Sequence, residues 1–239
     1  MRHQQRQIMK FSEAPGIEWR GKMIDLHTHS FFSDGELIPS ELVRRAAGKG
    51  YQAIAITDHA DISNIDFIIP RIIKVCQQLQ QQEAIHVIPG IELTHVPPAC
   101  IADLAKEGRS LGAEIIVVHG ETIVEPVAAG TNRAAVLADI DILAHPGLVS
   151  EEIARLAAEK GIHFEITTRK GHSLTNGHVA CCARKYGVPL ILNTDTHSPD
   201  NLITKTFARQ IALGAALTDE EADAMFANSE RLVGKITSL

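Results

Sequence analysis

The chain has 239 residues, 45% hydrophobic and 22% charged, with a mean hydropathy of +0.02, a composition that excludes a disordered, collagen-like or coiled-coil protein. Its net charge of −6 and its 4% of aromatic residues argue against a basic nucleic-acid groove or a base-stacking platform. Histidine stands out, with 12 residues beside a single Trp and two Tyr.

Residues 1–22 carry no apolar run and read as an N-terminal extension without a signal peptide. No stretch approaches the length of apolar sequence that spans a bilayer, and the four cysteines lack metal or disulfide spacing and read as reduced, packed thiols. The expectation is a cytoplasmic protein with no membrane partner.

From residue 23 onward, short apolar, β-branched runs recur: Met23–His27, Ala53–Thr57, Ile85–Leu93, Glu114–His119, Asp141–His145, Ile162–Thr167 and Pro189–Thr194. Helical stretches lie between them. Pro39-Ser40-Glu41 opens one and Gly48 closes it; Ser150-Glu151-Glu152 opens another, ended by Gly161. Seven strand–helix units in succession predict a parallel α/β sheet covered on both faces, closed as a barrel or open and doubly wound. Helical sequence follows, with Thr218-Asp219-Glu220-Glu221 spaced as a capping box. No linker or low-complexity tract divides residues 23–239, which are expected to form one domain.

In such folds ligands bind beyond the carboxyl ends of the strands. Those ends read His27-Thr28-His29, Asp58-His59, Glu92, His119, His145, Thr167-Thr168-Arg169 and Asp195-Thr196-His197. With Asp34, in the loop after the first strand, nine candidate metal ligands converge: His27, His29, Asp34, His59, Glu92, His119, His145, Asp195 and His197. A zinc ion takes about four ligands, so nine predict two or three divalent ions with a carboxylate bridging one pair. His86, His163 and His178 fall at strand starts or within a helix, and His3 in the extension; all four read as structural or solvated. Gly90 and Gly147 read as turn or close-approach positions.

His27-Thr28-His29, Ser33-Asp34-Gly35, Thr57-Asp58-His59, Gly90-Ile91-Glu92, His119-Gly120, Leu143-Ala144-His145-Pro146 and Asp195-Thr196-His197 together resemble the PHP (polymerase and histidinol phosphatase) family, over about residues 23–199. The resemblance implies a distorted, TIM-like (βα)7 barrel and a trinuclear site of zinc, manganese or iron. It also implies that His27, His29, Glu92 and Asp195 hold one ion. Glu92 would bridge to a second held by His119 and His145, and Asp34, His59 and His197 would hold the third.

Such ions make hydroxide available at neutral pH and neutralise phosphate oxygens. Glu92 and Asp195 are then expected to be essential to catalysis. Arg169 is expected to grip phosphate, and His172 to bind substrate and move a proton. Arg133 and His95 are weaker candidates for the same work. The activity expected from these features is a histidinol-phosphatase-like hydrolysis of a small phosphate monoester, with a phosphorylated small molecule as the partner and no stable nucleic-acid binding. Three alternatives stand beside it. One is a nucleotide phosphodiesterase or exonuclease. Another is an amidohydrolase, disfavoured because no strand ends in Lys. The third is a non-catalytic metal-binding module that regulates a partner.

Overall fold

The computed structural model describes residues 22–237, so the expected N-terminal extension lies, but for Lys22, outside the described residues. Eight parallel strands form the sheet: β1 (Met23–Asp25), β2 (Tyr51–Ile56), β3 (His59–Ala60), β4 (His86–Leu93), β5 (Ile115–His119), β6 (Ile142–Ala144), β7 (His163–Thr167) and β8 (Leu190–Asn193). They take the order β1-β2-β4-β5-β6-β7-β8, with the two-residue β3 also on β4. The expected second run is thus divided. At Thr57-Asp58 the chain turns to serve the first loop: Thr57 donates its N–H to the Thr28 carbonyl at 2.8 Å, and the Asp58 carboxylate accepts from Ser30 and Ser33.

The ring is nearly closed. Asp195 donates its N–H to the His27 carbonyl at 3.0 Å, His29 donates to the Thr196 carbonyl at 2.8 Å, and Thr28 and Thr196 form an isolated parallel bridge. Leu26 N–H completes the seam on the Asn193 side-chain oxygen at 2.8 Å.

Helices α1 (Pro39–Gly48), α2 (Ile65–Gln80), α3 (Ile101–Leu111), α4 (Thr131–Leu137), α5 (Glu151–Lys160), α6 (Asn176–Tyr186), α7 (Lys205–Gly214) and α8 (Asp219–Thr237) surround the sheet. The sequence signals act as read. Ser150 caps α5 on the Ile153 N–H, Gly161 ends it at a positive φ, and Thr218 and Glu221 exchange the two hydrogen bonds of a capping box.

Two buried apolar layers result. Outward strand residues such as Ile54, Ile56, Val87, Ile91, Phe164 and Ile166 pack under the helices. A smaller inner cluster of Ile24, Leu26, Ala53, Ala55, Ile88, Ile115, Val117, Ile142, Ala144 and Ile191 fills the barrel, joined by Leu232 and Val233 of α8. A strand's side chains alternate with a period of two, and this sets which residues face the barrel axis above that cluster. Ile88, Gly90 and Glu92 share a face, as do Ile115, Val117 and His119, and Ile191, Asn193 and Asp195. Each inward row passes from apolar to polar on reaching the carboxyl end of its strand.

No described helix is long and apolar enough to cross a membrane. Cys76 is buried and Cys182 half-buried, whereas Cys100 and Cys181 are exposed, so the expectation of uniformly packed thiols is corrected. Both exposed cysteines lie on helical segments, where a small apolar residue is tolerated on the outer face.

Candidate metal centre

All nine residues expected to meet at the carboxyl ends do so. The rings of His27 and His29 lie 5.0 Å apart, His29 and His59 4.2 Å, His29 and His197 4.1 Å, and His119 and His145 4.5 Å. His27 and His29 reach this arrangement beyond the end of β1, held by the seam to the β8 side rather than by strand pairing with β2. Asp195 and His145 have left their strands altogether, with φ of 52° and 28°, conformations that side chains adopt rarely and that concentrate at functional sites. Gly147 explains how the chain turns after His145. Its φ is 68°, and a Cβ there would lie 1.9 Å from the Glu121 carbonyl oxygen. Gly90 lets β4 approach β5, since a Cβ would lie 2.8 Å from the Ile115 carbonyl oxygen.

Glu92 sits centrally. Its Oε1 is 3.2 Å from His27 Nε2 and 3.8 Å from His145 Nε2, and its Oε2 is 2.6 Å from His59 Nδ1. Asp195 faces His29 Nε2 at 3.1 Å and His145 Nε2 at 3.7 Å. Asp34 lies 3.2 Å from both His59 Nε2 and His197 Nε2.

Hydrogen bonding shows what this array is suited to hold. His27 Nδ1 meets the Glu165 carboxylate at 2.8 Å, His197 Nδ1 meets the Asp195 carbonyl at 2.9 Å, and His119 Nδ1 meets the Gly120 carbonyl at 3.1 Å. Those oxygens only accept, so each Nδ1 carries a proton, and each Nε2 is left to bind a cation or a second proton. The Nε2 atoms face carboxylate oxygens: Glu92 at 3.2 Å, Asp34 at 3.2 Å and Glu125 at 3.1 Å. A ring nitrogen and a carboxylate oxygen at that distance share a proton or a cation. Ligands on a tetrahedral ion with bonds of ~2.0–2.2 Å stand roughly 3.3–3.6 Å apart, close to these separations. His27 Nε2, both ring nitrogens of His29 and of His145, and Glu92 Oε1 are moreover buried without any hydrogen-bond partner. The donor set therefore fits divalent cations bound by nitrogen and oxygen, and buried polar atoms left without partners are otherwise costly.

The titration directions agree. Against the burial that opposes its charge, His27 is held well above the usual imidazole range by Glu165, Glu92 and Asp195. His59 likewise rises to about 10 beside Glu92 and Asp34, despite its burial. Burial and the charge on His59 push His29 down to about 3, and burial with the neighbouring His119 depresses His145. Although burial opposes it, His27 and His59 keep Glu92 ionised. Carboxylates that stay charged in a buried cluster call for positive charge beside them.

Among the other expected residues, Arg169 points to this end. Its guanidinium donates to the Asp195 carbonyl and to Asn201 Oδ1, each at 3.4 Å, and its side chain is one-third exposed. His172 is buried, its ring 4.1 Å from that of His145. Arg133 pairs instead with Glu152 on the exposed surface. His86, His163 and His178 lie outside the cluster, as read; His178 bonds the Val149 carbonyl at 2.8 Å.

Two carboxylates escape a reading of the sequence. Glu165 lies mid-strand in an apolar run, and the inward parity of β7 is the signal that could find it. Glu125 lies in an irregular loop, 3.1–3.3 Å from His119, His172 and His95, and no spacing signals it.

A PHP domain matches residues 25–137. The chain is 52% identical over 201 residues to an uncharacterized protein of Methanocaldococcus jannaschii, covering 83% of this chain and 92% of that one. It is 28% identical over 220 residues to ribonuclease P protein component 3 of Methanosarcina mazei, covering 84% and 85%. Of solved structures, a chain in the cryo-EM structure of archaeal ribonuclease P with mature tRNA superposes with a TM-score of 0.70 at 18% identity, over 90% of this chain and 92% of that one. The Lactococcus lactis histidinol phosphate phosphatase, crystallised with zinc, L-histidinol and phosphate, superposes with a TM-score of 0.58 at 18% identity, over 82% and 95%. These two share the fold.

The relatives overturn the expectation of a small phosphorylated molecule as partner and no nucleic acid, since those matching most of the chain include ribonuclease P components. Net charge misleads for a physical reason. Asp34, Glu92, Glu125, Glu165 and Asp195 all count toward the −6, yet they gather among histidines in one cluster, so the total says little about the charge of the remaining surface.

Proposed function

The chain belongs to the PHP family, and from that premise we propose that it is a metal-dependent phosphodiesterase that cleaves nucleotide or nucleic-acid phosphodiester bonds. The observation that carries the reading is the complete convergence of nine nitrogen and oxygen donors around buried, partnerless imidazoles. Nucleic acid as substrate draws support from relatives named ribonuclease P protein component 3, and from a 73-residue match at 37% identity to a 5′-3′ exoribonuclease of Haemophilus influenzae.

In this reading His27, His29, Glu92 and Asp195 hold one ion, Glu92, His119 and His145 a second, and Asp34, His59 and His197 a third. Bound there, zinc, manganese or iron supplies a water of lowered pKa and positive charge for phosphate oxygens. The chain's own residues do the rest. Glu165, behind His27, fixes that ring's tautomer and orientation. Arg169, tied to the Asp195 carbonyl and Asn201, brings a planar cation to the rim for a phosphate oxygen. Burial depresses the pKa of His172, so the ring is neutral. With Thr122 Oγ1 2.8 Å from Nδ1 and Glu125 Oε1 3.2 Å from Nε2, the Nε2–H donates to the carboxylate and Nδ1 accepts from the hydroxyl. A neutral ring whose one proton is held by Glu125 orients that carboxylate and the Thr122 hydroxyl rather than protonating a leaving oxygen.

The test is hydrolysis by manganese- or zinc-reconstituted protein of a 5′-labelled RNA oligonucleotide, a DNA oligonucleotide and a panel of phosphate monoesters. Diester cleavage at least 10-fold faster in kcat/KM than monoester cleavage supports the reading; the reverse order overturns it.

A second reading comes from the Methanosarcina match across 85% of that protein's length: an RNA-associated subunit of a ribonucleoprotein. RNA binding without cleavage by the metal-loaded protein would favour it.

A further inference from the structure

The second ion, with His119, His145 and a shared Glu92, is the least well provided of the three. Beside it lies a group that the family pattern does not use. Glu125, in the loop between β5 and α4, places Oε2 3.1 Å from His119 Nε2 and 3.3 Å from His95 Nε2, and Oε1 3.2 Å from His172 Nε2. His119 donates Nδ1–H to the Gly120 carbonyl, so its Nε2, 3.1 Å from Oε2, is the nitrogen left to take a cation or a second proton, the same contact with a carboxylate seen between His27 and Glu92 and between His197 and Asp34. His172, which spends its Nε2 proton on Oε1, leaves Oε2 to face His119 and His95.

A second observation comes from the backbone. His95 has a φ of 53°, and it is one of four described non-glycine residues with positive φ, two of the others being His145 and Asp195 in the cluster. Such conformations are costly for a side-chain-bearing residue and persist where the surroundings fix them. At His95 the strained backbone carries a ring, 5.1 Å from that of His119, onto Glu125.

We propose that Glu125 is a direct carboxylate ligand of the ion held by His119 and His145, with His95 and His172 as the residues that position it. This rests on the metal-dependent function proposed for the same cluster. Like the third ion with Asp34, that ion is then bound by a loop carboxylate as well as by strand-end residues, so its retention depends on residues 120–130 as much as on the barrel.

The experiment uses the full chain, stripped with chelator and titrated with zinc by calorimetry, with elemental analysis at saturation and cobalt(II) absorption as a spectroscopic readout. Glu125→Gln keeps shape and removes charge. It is expected to weaken one binding step by at least about 10-fold, to change the cobalt spectrum and to leave the circular dichroism unchanged. His119→Gln should weaken the same step, and the Glu125→Gln, His119→Gln double variant should show no loss at another step. Asp34→Asn should weaken a different one. His95→Gln should reproduce the Glu125→Gln effect in part. Zinc isotherms and cobalt spectra of Glu125→Gln that superpose on those of the unaltered protein overturn the proposal while leaving the metal-dependent function intact. An unaltered protein that takes up no zinc overturns both. Should Glu125→Gln fail to fold, Glu125→Asp, whose shorter arm withdraws the oxygen from His119, must show the same weakened step for the proposal to stand.

Discussion

Glu165 and His27 form a fully buried pair, Oε2 to Nδ1 2.8 Å apart, with Asn193 Nδ2 donating to the same carboxylate oxygen at 2.9 Å. Asn193 in turn accepts from the Leu26 N–H, so the network ties β7, β8 and the end of β1 together behind the metal-facing nitrogen. A carboxylate in this position fixes the ring and raises its basicity as a ligand, and removing such a partner typically costs 10–100-fold in metal affinity. Glu165→Gln is therefore expected to weaken zinc binding by about that factor, measured by competition with a chromogenic chelator. Unaltered affinity would show that the pair serves only the fold.

Glu92 stands among His27, His145, His59 and His29, with oxygens 2.6–3.9 Å from their ring nitrogens. An amide in its place supplies no charge to either neighbouring cation. Glu92→Gln is expected to retain its circular dichroism, to lose at least one ion by elemental analysis, and to lose several powers of ten in turnover. Near-normal turnover would move the chemistry elsewhere in the cluster.

The candidate site is legible in the sequence because its nitrogen and oxygen donors fall at strand ends. Imidazoles and carboxylates recur where an inward-facing row reaches the carboxyl end, and the βα period locates those ends. The fold is legible for the same reason, down to the caps of α5 and α8. What stays hidden lacks periodicity. Glu125 is placed by an irregular loop, and the short β3 exists because Asp58 turns to bind Ser30 and Ser33 across the barrel top. Glu165 sits in a run whose apolar neighbours mask its inward parity. The partner class is misread because total charge averages over the whole chain, whereas five of its carboxylates are gathered in one cluster.

His163, at the start of β7 and away from the metal end, is 8% exposed, and burial depresses its pKa to about 4 from an ordinary 6.5, with Lys235 and Arg231 also disfavouring its charge. Its folded-state pKa lies below the unfolded value, so between these two values the unfolded chain binds the extra proton. Stability is then present above about pH 6.5 and lost as the pH falls toward 4, by at most about 2–3 kcal/mol. His163→Gln removes that dependence. Urea midpoints of the two proteins, in the same metal state, should diverge in slope between pH 7.5 and 4.5, with the unaltered protein losing more. Parallel curves would show that His163 titrates normally.

Arg169 separates phosphate binding from metal binding. Its guanidinium rests against Asp195 through the backbone carbonyl at 3.4 Å and lies 3.9 Å from the carboxylate, yet it can ligate no cation. Truncation to Ala should leave the ion content unchanged while removing a charge-assisted grip worth roughly 1.5–4 kcal/mol in a partly closed site, or about 10- to 1000-fold in kcat/KM. The loss should appear on the RNA oligonucleotide, since that is the substrate class the proposed function assigns. A loss confined to phosphate monoesters, whose dianion has more terminal charge to hold, would return the site to a phosphatase. No loss on either would make Arg169 a support for the Asp195 backbone, whose φ of 52° needs fixing by its neighbours whatever the substrate.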